Sequence, residues 1–195
     1  LDRINAGNDR VNAIVSLRDA EALLAEARAL DKDGGSGPLA GVPTAIKDLA
    51  QARGLPNSQG SILFAEDVSR LDAPHVARMR AAGALFVGKT NVPEFGLGSH
   101  TYNEVFGATA NPYAPDRRAG GSSGGAAVAL ATGMMALADG SDMMGTLRDP
   151  ADGWDPGAGP WRLYLAVKHF ARTPLRFCKT KEPRARLCHR PYRER

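Results

Sequence analysis

Gly120-Gly121-Ser122-Ser123-Gly124-Gly125 is the stretch on which the reading of this chain turns. Two serines stand between pairs of glycines, and an alanine-rich run, Ala126 to Thr132, follows at once. Glycine on both sides admits backbone conformations closed to other residues and lets a neighbouring group come close to the hydroxyls. The run from about Ser123 to Gly133 is expected to be a helix. Its first N–H groups and the positive end of its dipole would point back at the serines. Such a loop suits an oxyanion or an activated hydroxyl. Taken alone it is equally a phosphate cradle, a nucleophile site or a linker.

Composition narrows the setting. The 195 residues are 43% hydrophobic and 24% charged, as in a globular domain of ordinary size. No apolar run approaches the ~18 residues of a membrane span. The start, Leu1-Asp2-Arg3-Ile4, has no signal-peptide character and no initiator methionine, so the natural N-terminus is expected to lie upstream. Two cysteines, Cys178 and Cys188, make no disulfide framework and suit a reducing, cytoplasmic compartment. The net charge of +4 divides unevenly. Trp161 to Arg195 holds 11 Lys/Arg and 2 Asp/Glu, leaving 14 basic and 19 acidic groups in the other 160 residues. The basic character belongs to the tail, and the whole-chain charge is no sign of nucleic-acid binding.

Upstream of the glycine box, Val11 to Leu17 reads as a short buried strand and Asp19 to Asp31 as an amphipathic helix. Leu39 to Asp48 is an apolar strand that ends on Lys47-Asp48. Asp72 and Pro74 open a helix that Gly83 closes, and Ala84 to Val87 is a further strand. Lys89 to Pro115 reads as a long irregular excursion, a length usually tied to function or disorder. Met134 to Ala138 is read as a strand and Gly140 to Arg148 as a loop. Strands alternating with helices indicate an α/β sheet domain. The texture changes after Ala151, where a Gly/Pro-rich stretch leads into a basic, irregular tail.

Two familiar patterns fail on context. Gly83 to Thr90 satisfies GxxxxGK[ST], but its four middle residues are themselves the strand and Pro93 opposes a following helix. Gly120-Gly121-Ser122-Ser123-Gly124 satisfies GxSxG, but Asn111 to Ala119 supplies no hydrophobic strand leading into the serine. His169 and His189 could complete a triad with it, yet both lie in the atypical tail. His75 is read as an exposed helix residue and His100 as a loop residue, neither with a partner at metal spacing.

Three segments together resemble the amidase signature family: GVPTAIKD around Lys47, RAGGSSGGAAVALATG around Ser122, and GSDMMGTLRDPA around Thr146. GKTNVPEFG and the stretch from Phe106 to Pro112 fall between them in the family's order. The resemblance runs from the first residues to about Ala151. It implies an α/β fold, a partial mixed β-sheet core covered by helices, and a serine–cis-serine–lysine triad. Carried over by position, Lys47 is the triad lysine and Ser122 the serine whose peptide bond is cis in the family. Thr146 occupies the nucleophile's place. Backbone N–H groups of Met143, Met144, Gly145 and Thr146 would meet the oxyanion, with Ser123, Ser141, Asp142 and Arg148 in support. The chemistry needs these types: a hydroxyl attacks well only beside a base, and lysine serves as one only when its pKa falls from ~10.4 towards ~7–8.

The resemblance departs from the family's pattern in three places. Thr146 stands where the family has serine, adding a methyl and stiffening χ1. Met144 stands where the common pattern has glycine. The family's chain also continues far longer. The expectation is therefore residues 1–151 as a truncated amidase signature domain and 152–195 as a basic, irregular tail produced by a shift of reading frame. The function expected is hydrolysis of carboxamide C–N bonds through an acyl-enzyme, with reduced or no activity. The alternative is a non-catalytic remnant, or a small interaction protein with a basic tail. A small amide is the partner implied, with no cofactor, metal, nucleic acid or membrane; the oligomeric state stays open.

Overall fold

Alternation along three strands divides the core into two layers, and that division positions the site. The computed structural model describes residues 1–141 and the strand Leu165–Ala166. In chain order the first elements are α1 (Asp2–Val11), β1 (Ile14–Val15), α2 (Ala20–Lys32) and β2 (Pro43–Lys47). Next come α3 (Pro74–Ala81), β3 (Leu85–Thr90) and the short strands β4 (Tyr102–Asn103), β5 (Gly107–Ala108), β6 (Ala110–Asn111) and β7 (Ala114–Arg118). The last are α4 (Gly124–Ala131), β8 (Leu137–Gly140) and β9 (Leu165–Ala166).

The main sheet runs β1-β3-β2-β8-β9, with β1 antiparallel to β3 and the other pairs parallel. Ala45, Leu85, Val87 and Ala138 face one side, where they pack with Ile4 of α1, Leu23 of α2 and the buried run of α4. Ile46, Phe86 and Leu137 face the other, against Val76 and Met79 of α3. Period-two alternation in β2 and β8 thus sends neighbouring residues to opposite layers. The mixed α/β sheet core with covering helices agrees with the expected fold class.

Several sequence readings shift. Residues 2–11 form a helix, which ends at Asn12 in the left-handed region (φ 50°), so the strand read from Val11 shrinks to Ile14–Val15. The strand read at Met134–Ala138 lies instead at Leu137–Gly140, because Gly133 (φ 69°) turns the chain out of α4 and Met134 and Met135 fill the core beneath it. The excursion from Lys89 to Pro115 is not wholly irregular: β4 pairs with β5 and β6 with β7 as two small antiparallel ribbons. Residues Ala114–Arg118, read as no strand, form the largely exposed arm of the second ribbon and stay outside the main sheet. β9 falls on the brief apolar run at Leu165 and Ala166 and pairs with Asp139–Gly140.

Candidate active site

Lys47 is the last residue of β2, and alternation places its side chain on the α4 side of the sheet with Ala45. It is 1% exposed. Its Nζ lies 2.8 Å from Ser122 Oγ, 2.8 Å from Ser123 Oγ and 2.9 Å from Ser141 Oγ. Three hydroxyl oxygens thus lie within hydrogen-bond reach of one lysine nitrogen. Ser123 Oγ also reaches the Ser141 carbonyl at 3.3 Å. Ser122 and Ser123 are both buried.

The glycine box is built to reach that lysine. Gly121, at φ 73°, turns the chain sharply just before Ser122. Its N–H donates to the Ser99 carbonyl at 2.7 Å, and its own carbonyl accepts from Thr101 Oγ1 at 2.6 Å. Thr101 Oγ1 accepts in turn from the Gly124 N–H, tying the start of α4 to the same threonine. A methyl at Gly124 would run into Thr101 Oγ1, and one at Gly125 into the Asn91 backbone and the Ala13 carbonyl. Glycine there lets the first turn of α4 sit against the end of β3. Among the described residues there is no cis peptide bond. The bond into Ser122 is trans, which corrects the cis arrangement implied by the resemblance: the left-handed turn at Gly121 already carries the hydroxyl to Lys47.

Sequence reasoning thus assembles four residues that meet: Lys47, Ser122, Ser123 and Ser141. Asp142, Met143, Met144, Gly145, Thr146 and Arg148 lie outside the described residues, as do His169 and His189. Ser123 and Ser141, expected only as supports, touch Nζ directly.

Three charged residues beside the site escaped the sequence reading. Asp139 is 3% exposed, and its Oδ1 accepts a short hydrogen bond from the backbone N–H of Lys47. Its Oδ2 lies 3.3 Å from His75 Nε2, so His75, read as an exposed helix residue, is part-buried at 18% exposure and bonded to Asp139. The third is Lys89, buried on β3 at 3.4 Å from Asp48 Oδ1. Lys89 Nζ also donates to the Ala50 carbonyl at 2.7 Å and to Asn57 Oδ1 at 3.2 Å, while Ser58 Oγ donates to Asp48 Oδ2 at 2.6 Å. Burial pushes the Asp48 carboxyl up and the Lys89 ammonium down, each partly offset by the other's charge. For Lys89 and Asp139 the signal was a charged residue inside an apolar strand; His75, on α3, gave none. Among the described residues no group of three or more His, Cys, Asp or Glu side chains could hold a metal ion.

A sequence model of the amidase family matches residues 1–152. The chain belongs to the amidase family. It is 44% identical over 145 residues to a glutamyl-tRNA(Gln) amidotransferase subunit from Methanosarcina barkeri, covering 74% of this chain and 30% of the relative. To the same subunit from Thermus thermophilus it is 46% identical over 151 residues, covering 77% and 31%. Among solved structures, a bacterial aryl acylamidase of the amidase signature family superposes with a TM-score of 0.71 at 35% identity, over 77% of this chain and 32% of that one. The corresponding subunit of the Thermotoga maritima amidotransferase superposes with a TM-score of 0.65 at 34% identity, over 77% and 31%. The chain therefore spans about 30% of the length of the curated amidase-family relatives it matches. Among the described residues no helix is long and apolar enough to cross a membrane.

Proposed function

We propose that this chain carries the proton-handling half of an amidase site that cleaves carboxamide C–N bonds through an acyl-enzyme. The observation that carries the reading is the burial of Lys47 Nζ among the hydroxyls of Ser122, Ser123 and Ser141. In this reading neutral Lys47 is the base and Ser122 the relay. Thr146 Oγ1 attacks the amide carbon while its proton passes through Ser122 Oγ to Lys47 Nζ. The oxyanion that forms is met by backbone N–H groups from Met143 to Thr146, with Asp142 and Arg148 holding that loop. Collapse of the intermediate breaks the C–N bond, and the departing amine takes the proton back along the same path. Water then hydrolyses the ester on Thr146.

The substrate class is a small carboxamide, and the compartment assigned is the cytoplasm. The curated relatives are components of an amidotransferase, which keeps descent from such a component beside descent from a free amidase. Residues 152–195 are assigned to a basic tail beyond the family match, with Leu165–Ala166 added to the edge of the main sheet. The family match stops at residue 152, and a frame change near Ala151 accounts for that break. Translating the encoding DNA in its other frames should restore family-like sequence after Trp154; if no frame does, the frame change is wrong.

Thr146 favours a second reading, a non-catalytic remnant. A methyl added where the family has serine would, if it overpacks the site, cost ~1–3 kcal/mol, and a displacement near ~1 Å would cost ~10²-fold in rate. One experiment separates the two. The purified chain is offered a panel of simple amides, beside Lys47→Ala and Thr146→Ser. Turnover abolished by Lys47→Ala supports the enzyme, and a gain with Thr146→Ser locates the defect at the nucleophile. Folded protein that turns over nothing in either form is the remnant.

A further inference from the structure

We propose that Asp139 is a positioning residue for Lys47, and that His75 controls it from the opposite face of the sheet, so that the lysine site answers to the charge on a residue that lies outside the hydroxyl cluster. The proposal rests on the reading of Lys47 as the base. It begins at the point where strand pairing gives out. The register of β2 against β8 is Thr44 with Leu137 and Ala45 with Ala138. Two residues further along β2, the N–H of Lys47 is taken by the Asp139 side chain. The residue that carries the base is thus anchored by a carboxylate.

Alternation puts Asp139 on the same side as Leu137, the α3 side, while the Lys47 side chain lies on the α4 side. One carboxylate therefore joins the β2 backbone at Lys47 to His75 of α3. A carboxylate 3% exposed is costly to bury unless its oxygens are hydrogen-bonded. Oδ1 has the Lys47 N–H and Oδ2 has His75 Nε2. The His75 side chain is 18% exposed and that of Asp139 3%, so of the two it is the histidine that reaches water.

The charged groups facing this pair come from each element packed on it. Lys47 comes from β2, His75 from α3, and Lys89 from β3, whose charge also acts on Asp139. Lys89 is itself tied to Asp48, and on the α3 side Arg80 is occupied by Asp72. Histidine is the side-chain type that ordinarily changes charge around neutral pH, and His75 is the imidazole bonded to Asp139. When it is protonated, its bond to Asp139 is charge-assisted and holds the carboxylate against β2. When it is neutral, that hold weakens and the Lys47 N–H bond adjusts.

The test is a pH titration of the full chain, labelled with ¹⁵N and ¹³C, followed at the Lys47 amide proton, the Lys47 ε-methylene and the His75 ring. Lys47→Ala supplies the assignment. The expected result is a downfield Lys47 amide proton that shifts with the midpoint of His75. His75→Gln should keep the downfield position and lose the pH response, and Asp139→Asn should move the amide upfield. If the wild-type amide shows no inflection at the His75 midpoint, the proposal is overturned, whatever the variants do. With an amide that the chain turns over, Asp139→Asn should lower kcat by up to ~10²-fold with KM unchanged, and His75→Gln should remove the limb of the pH–rate profile at the His75 midpoint. A coupled titration in a chain that hydrolyses no amide sinks the enzymatic reading and leaves this one standing. Lys47-dependent turnover without the coupled titration does the reverse.

Discussion

The molecule buries two lysines on adjacent strands and treats them differently. Lys47 and Lys89 end up about equally hidden, at 1% and 0% exposure, and they lie one residue out of step in the parallel register of β2 and β3. Around Lys89 the chain supplies a carboxylate, a backbone carbonyl and a side-chain amide. Those groups favour the charged form and hold the Ala50–Ser58 loop to the sheet. Around Lys47 it gathers serine hydroxyls, which can donate as readily as accept. Burial pushes the Lys89 ammonium down, and the charge of Asp48 offsets part of that. The two lysines are alike in burial and differ in the groups gathered round them.

The strongest way to break the comparison is to remove each lysine in turn. Lys47→Ala should cost roughly 10²–10⁴-fold in amide turnover with the fold kept, judged by rate and circular dichroism on the same preparation. If turnover survives, Lys47 is not the base. Lys89→Met should act on stability: removing one partner of a buried pair strands the other, at a cost of ~3–5 kcal/mol. The denaturation midpoint reads this, and Lys89→Met with Asp48→Leu should recover most of the loss. If the double variant is no better than the single, the pair is more than a packing device.

The next effect lies at the close contact that feeds the Lys47 cluster. A methyl at Gly125 meets backbone atoms of Asn91 and Ala13, which cannot swing aside as a side chain can. Gly125→Ala should cost ~3 kcal/mol, the upper end of the overpacking range, and turnover should fall with stability. A silent Gly125→Ala would mean that Ser122 and Ser123 do not depend on this approach.

The smallest effect separates the buried pair from a surface one. Asp72 accepts two hydrogen bonds of 2.8 Å from Arg80 and one of 2.7 Å from the Arg53 N–H. The Arg80 hydrogen bonds hold its carboxyl below the ordinary carboxylate value of 3.8. A carboxyl lowered by folding stabilises the native state above pH 3.8, and that share is lost as pH falls through the folded value. Asp72→Asn should cost below about 1 kcal/mol at neutral pH, and its deficit against wild type should shrink in acid. A deficit that grows as pH falls would reverse the sign of the account.

The Lys47 cluster was far more legible in the sequence than its surroundings. Gly120 to Gly125 and the strand ending on Lys47 are local signals, carried by glycine spacing and by an apolar run that stops at a charge. Their meeting is not local: Lys47 and Ser122 are 75 positions apart, and only the family resemblance joined them. Asp139 and His75 stayed hidden because an aspartate at the end of a strand reads as surface, and because the face it takes depends on the strand's exact start. The two ribbons from β4 to β7 were missed for a related reason. Three of the four strands have only two residues, and asparagine and threonine side chains such as Asn103 and Thr109 hold this region rather than hydrophobic alternation. The trans bond into Ser122 is a further case, since the turn at Gly121 supplies what the family was expected to obtain from a cis bond.

The most direct test of the central claim, that Lys47 activates a hydroxyl through the serine cluster, is covalent labelling with an alkyl fluorophosphonate followed by peptide mass spectrometry. The account predicts one adduct, on Thr146, formed faster in Thr146→Ser and lost in Lys47→Ala. Labelling that survives Lys47→Ala, or that falls on Ser122 or Ser123 in the wild-type chain, would contradict it.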